Sequence, residues 1–212
     1  MTEIIFILDR SGSMEGLEKD TIGGFNSMMK KQASVPGDAL VSTLLFDNDV
    51  EVIHDRLNIK DVPEMTSKEY YVRGCTALLD AVGGAIKHIS MIHKYARKED
   101  VPEKTLFIIT TDGMENASRR YSYEDVRSMV EHQKSKHGWE FIFLGANIDA
   151  QAEASKYGID ESMSVNYNCD SKGMEISFKV MDDVVSSYRS TCEVPKEWRK
   201  LIDDDFKSRR IL

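Results

Sequence analysis

The chain has 212 residues, 28 Lys plus Arg against 36 Asp plus Glu, and a formal net charge of −8. That length is enough for one domain with additions and a sizeable buried core. An acidic balance argues against non-specific nucleic-acid binding, which rests on a basic footprint. No window approaches the ~18 apolar residues of a membrane-spanning helix. The start, Met1-Thr2-Glu3-Ile4, lacks the basic stretch and cleavage site of a signal peptide. Three cysteines, Cys75, Cys169 and Cys192, are too few and too odd for a disulfide framework. The expectation is a cytoplasmic protein that binds neither nucleic acid nor membrane.

Ile4 to Leu8 is a continuous apolar run, the pattern of a strand buried on both faces. It stops at the turn-rich Asp9-Arg10-Ser11-Gly12-Ser13. From about Glu15 to Lys31, Leu17, Thr21, Phe25, Met28 and Met29 recur near helical spacing. Leu40 to Phe46 reads as a strand, Asp47-Asn48-Asp49 as a tight turn and Val50 to Ile53 as its antiparallel partner. Asp61 to Tyr71 reads as polar loop. Leu78 to about Lys98 is a long helix with Leu78, Val82, Ile86 and Ile89 along one side.

Thr105 to Thr110 predicts another strand buried on both faces, ending at Thr111-Asp112-Gly113. Ser122 opens a helix as N-cap, with Asp125 at the third helical position as a weak capping box. Glu140 to Leu144 is a strand, Asp149–Tyr157 a short helix, and Met163–Tyr167 a weak last strand. Ser171 to Arg189 adds a helix. Past Pro195, the helix-spaced stripe of Trp198, Leu201, Ile202 and Phe206 predicts a docked C-terminal helix. Strands alternating with such helices imply βαβ units, an α/β class and a mainly parallel sheet with one antiparallel edge.

In open α/β sheets ligands bind beyond the carboxyl ends of the strands. There the sequence places Asp9, Ser11 and Ser13 after the first strand and Asp112 after the middle one. Thr76 lies in the loop before the long helix. Two carboxylates and three hydroxyls suit a hard divalent cation, Mg²⁺ first and Mn²⁺ or Ca²⁺ next. As single residues, Asp9 and Ser13 read equally well as turn or N-cap residues.

The five positions resemble the metal-ion-dependent adhesion site of the von Willebrand factor A (vWA) family: D-x-S-x-S at Asp9, Ser11 and Ser13, then Thr76, then Asp112. Asp9-Arg10-Ser11-Gly12-Ser13-Met14 and Thr76-x-Leu78-x-Asp80-Ala81 are similar to its soluble microbial members. The resemblance implies a three-layer Rossmann-like vWA domain over residues 1–190, with core 3–167 and a helical extension at 191–212. Ser11 and Ser13 would then hold the metal directly. Asp9 and Asp112 would act through water or through those hydroxyls. A partner protein's Asp or Glu carboxylate would complete the metal. The implied function is a non-enzymatic module in a multiprotein assembly.

Two alternatives stay open: a Mg²⁺-dependent phosphatase or phosphotransferase, and a metal-stabilised scaffold without a carboxylate ligand. A phosphatase with an aspartate nucleophile calls for D-x-D, and its second acid is replaced here by Ser11. The five histidines show no metal-ligand spacing. Cys75 reads as a small buried residue. The pairs Gly23-Gly24 and Gly83-Gly84 read as close helix–sheet packing. Met14 and Met114 flank the site, either in the core or as an apolar rim.

Overall fold

A computed structural model describes residues 1–209. Six strands form one sheet: β1 (Thr2–Asp9), β2 (Ala39–Phe46), β3 (Val50–Asn58), β4 (Lys104–Thr111), β5 (Glu140–Gly145) and β6 (Ser164–Asn166). Their spatial order is β3-β2-β1-β4-β5-β6. Only β2 and β3 pair antiparallel; the other neighbours are parallel. The helices are α1 (Glu18–Ala33), α2 (Leu78–Tyr95), α3 (Tyr123–His137), α4 (Ala150–Lys156), α5 (Ser171–Thr191) and α6 (Lys200–Ser208).

Apolar residues run without a break through β1, β4 and β5 because each face of the sheet is covered. Ile4, Phe6 and Leu8 point into a core shared with Phe25 of α1 and Val184 of α5. Ile5 and Ile7 point the other way, toward Leu78 and Val82 of α2, Val126 of α3 and Ala154 of α4. The period-two alternation of side chains thus feeds two cores from one strand. Trp198 and Ile202 lie in the first core, and the Trp198 indole donates to the Ser162 carbonyl at 2.9 Å.

Several local readings are corrected. The segment after β1 forms a 3₁₀ turn at Gly12–Met14, and α1 begins only at Glu18. β3 runs on to Asn58 through a bulge at which Arg56 takes φ 51°. The loop from 61 to 71 is anchored, because Met65 and Tyr70 are buried. The capping box of α3 forms with both of its hydrogen bonds. Gly24 and Gly83 give room to Phe178 of α5 and to Tyr121, not to the sheet. Among the described residues no helix is long and apolar enough to cross a membrane.

Candidate metal centre

The chain leaves β1 for β2 on one side and reaches β4 on the other, so the sheet's topological switch point lies between the carboxyl ends of β1 and β4. Asp9 is the last residue of β1, and Asp112 directly follows β4. No chain need cover the crevice there, and loops from both halves converge on it. The N–H of Ser11 donates to Asp9 Oδ1 at 2.7 Å, which folds the chain back over the strand end. The N–H of Gly12 donates to the Gly74 carbonyl at 3.1 Å, bringing the Gly74–Thr76 loop alongside. Gly74 has φ 68°, and a Cβ there would lie 2.0 Å from Asn48 Oδ1, so only glycine fits.

The oxygens form a connected set. Ser11 Oγ and Ser13 Oγ are 3.0 Å apart, and Ser13 Oγ donates to Asp112 Oδ1 at 2.5 Å. The space at Gly113 faces both sides of the crevice. A Cβ there would sit 3.6 Å from Thr76 Oγ1 and 3.8 Å from Ser13 Oγ. Thr76 is held at both ends by Asn116, whose Oδ1 accepts from the Thr76 N–H at 2.9 Å and whose N–H donates to the Thr76 carbonyl at 3.0 Å. The structure therefore brings Asp9, Ser11, Ser13, Thr76 and Asp112 to one crevice, with Ser13 exposed at its mouth.

The electrostatics are unusual for two acids so close. Asp9 is 1% exposed and Asp112 2%. Burial pushes the Asp9 carboxyl up to about 6, against hydrogen bonds from Thr111 and Ser11 that pull it down. Burial also raises Asp112, opposed by Ser13 and Cys169. Among the described residues neither carboxylate has a Lys, Arg or His partner. Arg10, next in sequence, turns away to Asp47 at 2.7 Å and Glu51 at 2.8 Å. A buried acid pair without a counter-charge, ringed by hydroxyl oxygens, is a donor set that fits a hard divalent cation. Among the described residues no three or more His, Cys, Asp or Glu side chains cluster to hold a metal, in this crevice or elsewhere, so a cation here would rest on two carboxylates and hydroxyls.

Several participants escape a reading of the sequence. Thr111 Oγ1 donates to Asp9 Oδ2 at 2.7 Å, and Tyr70 donates to the Asp9 carbonyl at 2.5 Å. Cys169, from the loop after β6, places Sγ 3.7 Å from Asp112 Oδ2. Burial, then the Asp112 charge, pushes its thiol up to about 12. Thr111 carried a signal, its place at a strand end; Cys169 carried none. Glu115 and Asp80 are spent on backbone. Glu115 accepts from the N–H groups of Leu79, Ala117 and Ser118, and Asp80 from those of Arg119, Arg120 and Tyr121. Met14 is a core residue, whereas Met114 is 62% exposed beside the crevice. Cys75 is exposed, contrary to expectation.

No protein-family model and no curated protein matches the sequence. Solved structures do match. The vWF domain of the type V pili tip protein Mfa5 from Porphyromonas gingivalis aligns with TM-score 0.62 at 11% identity, covering 92% of this chain and 98% of that one. The von Willebrand factor type A protein from Catenulispora acidiphila aligns with TM-score 0.61 at 16% identity, over 88% and 42%. Proximal thread matrix protein 1 from the mussel byssus, with a zinc-occupied MIDAS motif, aligns with TM-score 0.56 at 17% identity, over 87% and 45%. The chain spans 42% to 63% of the first matched structures' length. What it shares with them is the fold, the Rossmann-like vWA architecture.

Proposed function

We propose that this chain is a divalent-metal-dependent protein-binding module of the metal-ion-dependent adhesion type. Asp9, Ser11, Ser13, Thr76 and Asp112 hold the cation, Mg²⁺ by preference and Mn²⁺ or Ca²⁺ otherwise. The observation that carries this reading is the pair of buried carboxylates, Asp9 and Asp112, with hydroxyls around them and no cationic side chain. The zinc-occupied motif in the byssal protein supports a divalent cation on this fold.

When bound, the cation offers a Lewis-acidic position that a partner's Asp or Glu carboxylate completes. The chain's own part is orientation. Ser13 presents its hydroxyl at the mouth, Asn116 fixes Thr76, and Thr111 and the Ser11 N–H fix Asp9. Two carboxylates balance one divalent ion, so the loaded site stays attractive to a further acid. The module is non-enzymatic: Ser11 stands where an aspartate-nucleophile phosphatase needs its second acid. The exposed Cys75 thiol suits a cytoplasmic, reducing setting. We take residues 1–190 as the vWA domain and 191–212 as its C-terminal extension, the last three residues of which lie outside the described ones.

Mn²⁺ titration followed by electron paramagnetic resonance tests this. The wild type should bind Mn²⁺ and Asp112→Ala should not. A short peptide bearing one glutamate should then lower the water-proton relaxation of the loaded wild type as carboxylate displaces water. Equal Mn²⁺ binding by both proteins would overturn the reading.

A further inference from the structure

Beside the crevice, the fold leaves one end of a fixed arginine unused. The N–H of Arg73 donates to the Arg10 carbonyl at 2.9 Å, and the Gly74 carbonyl accepts from Gly12. Arg73 therefore runs alongside the turn at 9–13, three residues before Thr76 and at most about 11 Å from it along the chain. Its side chain is held at two points. Nε donates to Asp47 Oδ2 at 2.8 Å, and the guanidinium carbon lies 5.4 Å from the centre of the Tyr71 ring, a cation–π contact.

Arg10, fully buried, reaches the same Asp47 oxygen at 2.7 Å. Burial of the Asp47 charge is thus compensated without Arg73, and the Asp47 contact accounts for Arg73 Nε alone. Nη1 and Nη2 of Arg73 have no hydrogen-bond partner among the described residues, and the side chain is 46% exposed. That end of the planar fork fits a carboxylate through two parallel N–H bonds. Being fixed beforehand, it loses little rotamer freedom on binding. A standard interface covers about 800 Å² per side, a patch about 16 Å in radius. A partner seated on the metal therefore also covers Arg73, with the half-exposed Tyr71 ring against it.

We infer that Arg73 is a second acid-binding position of the same interface, and that the partner is an acidic segment offering two carboxylates. One completes the cation, and the other, two or three residues away, takes the Arg73 fork. At ~3.3 Å per extended residue that spacing spans about 7–10 Å. A single metal–carboxylate contact does not tell one acidic partner from another; a second fixed position does. The inference rests on the metal-dependent reading and names the class of partner that the site selects.

Calorimetry on the Mn²⁺-saturated protein tests it with capped glycine octapeptides carrying glutamate at the third and sixth positions, or glutamine in place of either one. The two-glutamate peptide should bind about five- to tenfold more tightly than each single-glutamate peptide. Arg73→Gln should reduce that ratio to about twofold, the statistical factor for offering two acids. Tyr71→Ala, which loosens the guanidinium, should lower it part of the way. Arg97→Gln removes an exposed arginine paired with Asp100 and should leave the ratio unchanged. Mn²⁺ binding itself, read by electron paramagnetic resonance, should be equal in all four proteins. A wild type that binds no Mn²⁺ overturns the metal reading and this inference with it. The inference alone is overturned if the Mn²⁺-loaded wild type gives no heat with the two-glutamate peptide up to about 5 mM, prefers it by no more than about twofold, or keeps its preference in Arg73→Gln.

Discussion

Replacing Asp9 with asparagine is expected to raise the melting temperature of the metal-free protein and to abolish its response to Mg²⁺. Asp9 is buried, and its carboxyl stands at about 6 against an ordinary 3.8. That difference corresponds to about 3 kcal/mol of penalty for holding it ionised at neutral pH. Asparagine keeps the shape and accepts the Ser11 N–H through its oxygen. Its amide faces Thr111 Oγ1, which can turn its own proton to the Gly113 carbonyl 3.1 Å away. One accepted bond is still lost, about 1 kcal/mol. The net gain is about 2 kcal/mol, or roughly 4–8 °C at this size. With Mg²⁺ at ten times its Kd, the wild type gains about 1.4 kcal/mol by linkage and the variant nothing. The sign with pH follows from a raised carboxyl. The penalty is absent below 3.8, grows as pH rises toward about 6, and is complete above it. The gap between variant and wild type in EDTA should therefore shrink on acidification from pH 7 to 5. Differential scanning calorimetry reads all three effects. A variant that melts several degrees lower in EDTA would show that Asp9 is a turn anchor, and would refute the argument from uncompensated charge.

Other outcomes follow from the same contacts. Asp47→Ala leaves the fully buried Arg10 without its 2.7 Å partner and should cost about 3 kcal/mol in urea unfolding. Burial pushes the Asp47 carboxyl up, but Arg73, the Asp49 N–H and Arg10 outweigh it and hold it below 3.8. Its contribution is present above 3.8 and is lost as pH falls through the lower folded value, so the Ala variant should lose less stability there than the wild type. Asn116→Ala frees the N–H end of Thr76, while the Asn116 backbone N–H still holds its carbonyl, and should weaken Mn²⁺ binding about three- to tenfold with little change in secondary structure by circular dichroism. Adjacent glycines in α2 should respond with opposite sign. Gly84→Ala meets open space and should stabilise by about 0.8–1.0 kcal/mol, whereas Gly83→Ala puts a Cβ 2.7 Å from the Tyr121 ring and should destabilise. Equal thermal shifts for the two would count against the packing described for Tyr121.

Much of the architecture is legible in the chain because it is written in local pattern. The unbroken apolar runs at Ile4–Leu8 and Leu106–Ile109 mark strands covered on both faces, as the two cores bear out. Ser122 and Asp125 mark a helix start by capping chemistry alone. The readings that failed concern neighbours distant in sequence. Nothing local in the sequence marks His54 as a core residue, yet it is buried against Thr43 Oγ1 at 3.0 Å and stacked on Phe25. Cys75 looks like a core residue by type, but its loop is turned outward by Asn48, whose side chain accepts its N–H at 2.9 Å. Gly24 opens space for Phe178 of a helix that begins about 150 residues later, beyond any local window.

The candidate site divides the same way. Residue type and the D-x-S-x-S spacing are properties of the sequence, and so is the placing of Asp9 and Asp112 at strand ends. Their meeting is a property of the sheet. Ser13 and Asp112 are 99 residues apart and become hydrogen-bonded because the strand order reverses between β1 and β4. Burial of both acids, the clamp of Asn116 on Thr76 and the approach of Cys169 to Asp112 likewise exist only after the loops have packed. Local propensity and alternation act over a few residues and fix which elements form. Desolvation and cross-loop hydrogen bonds act between elements, so only the assembled fold decides which side chains face one another and how strongly their charges are felt.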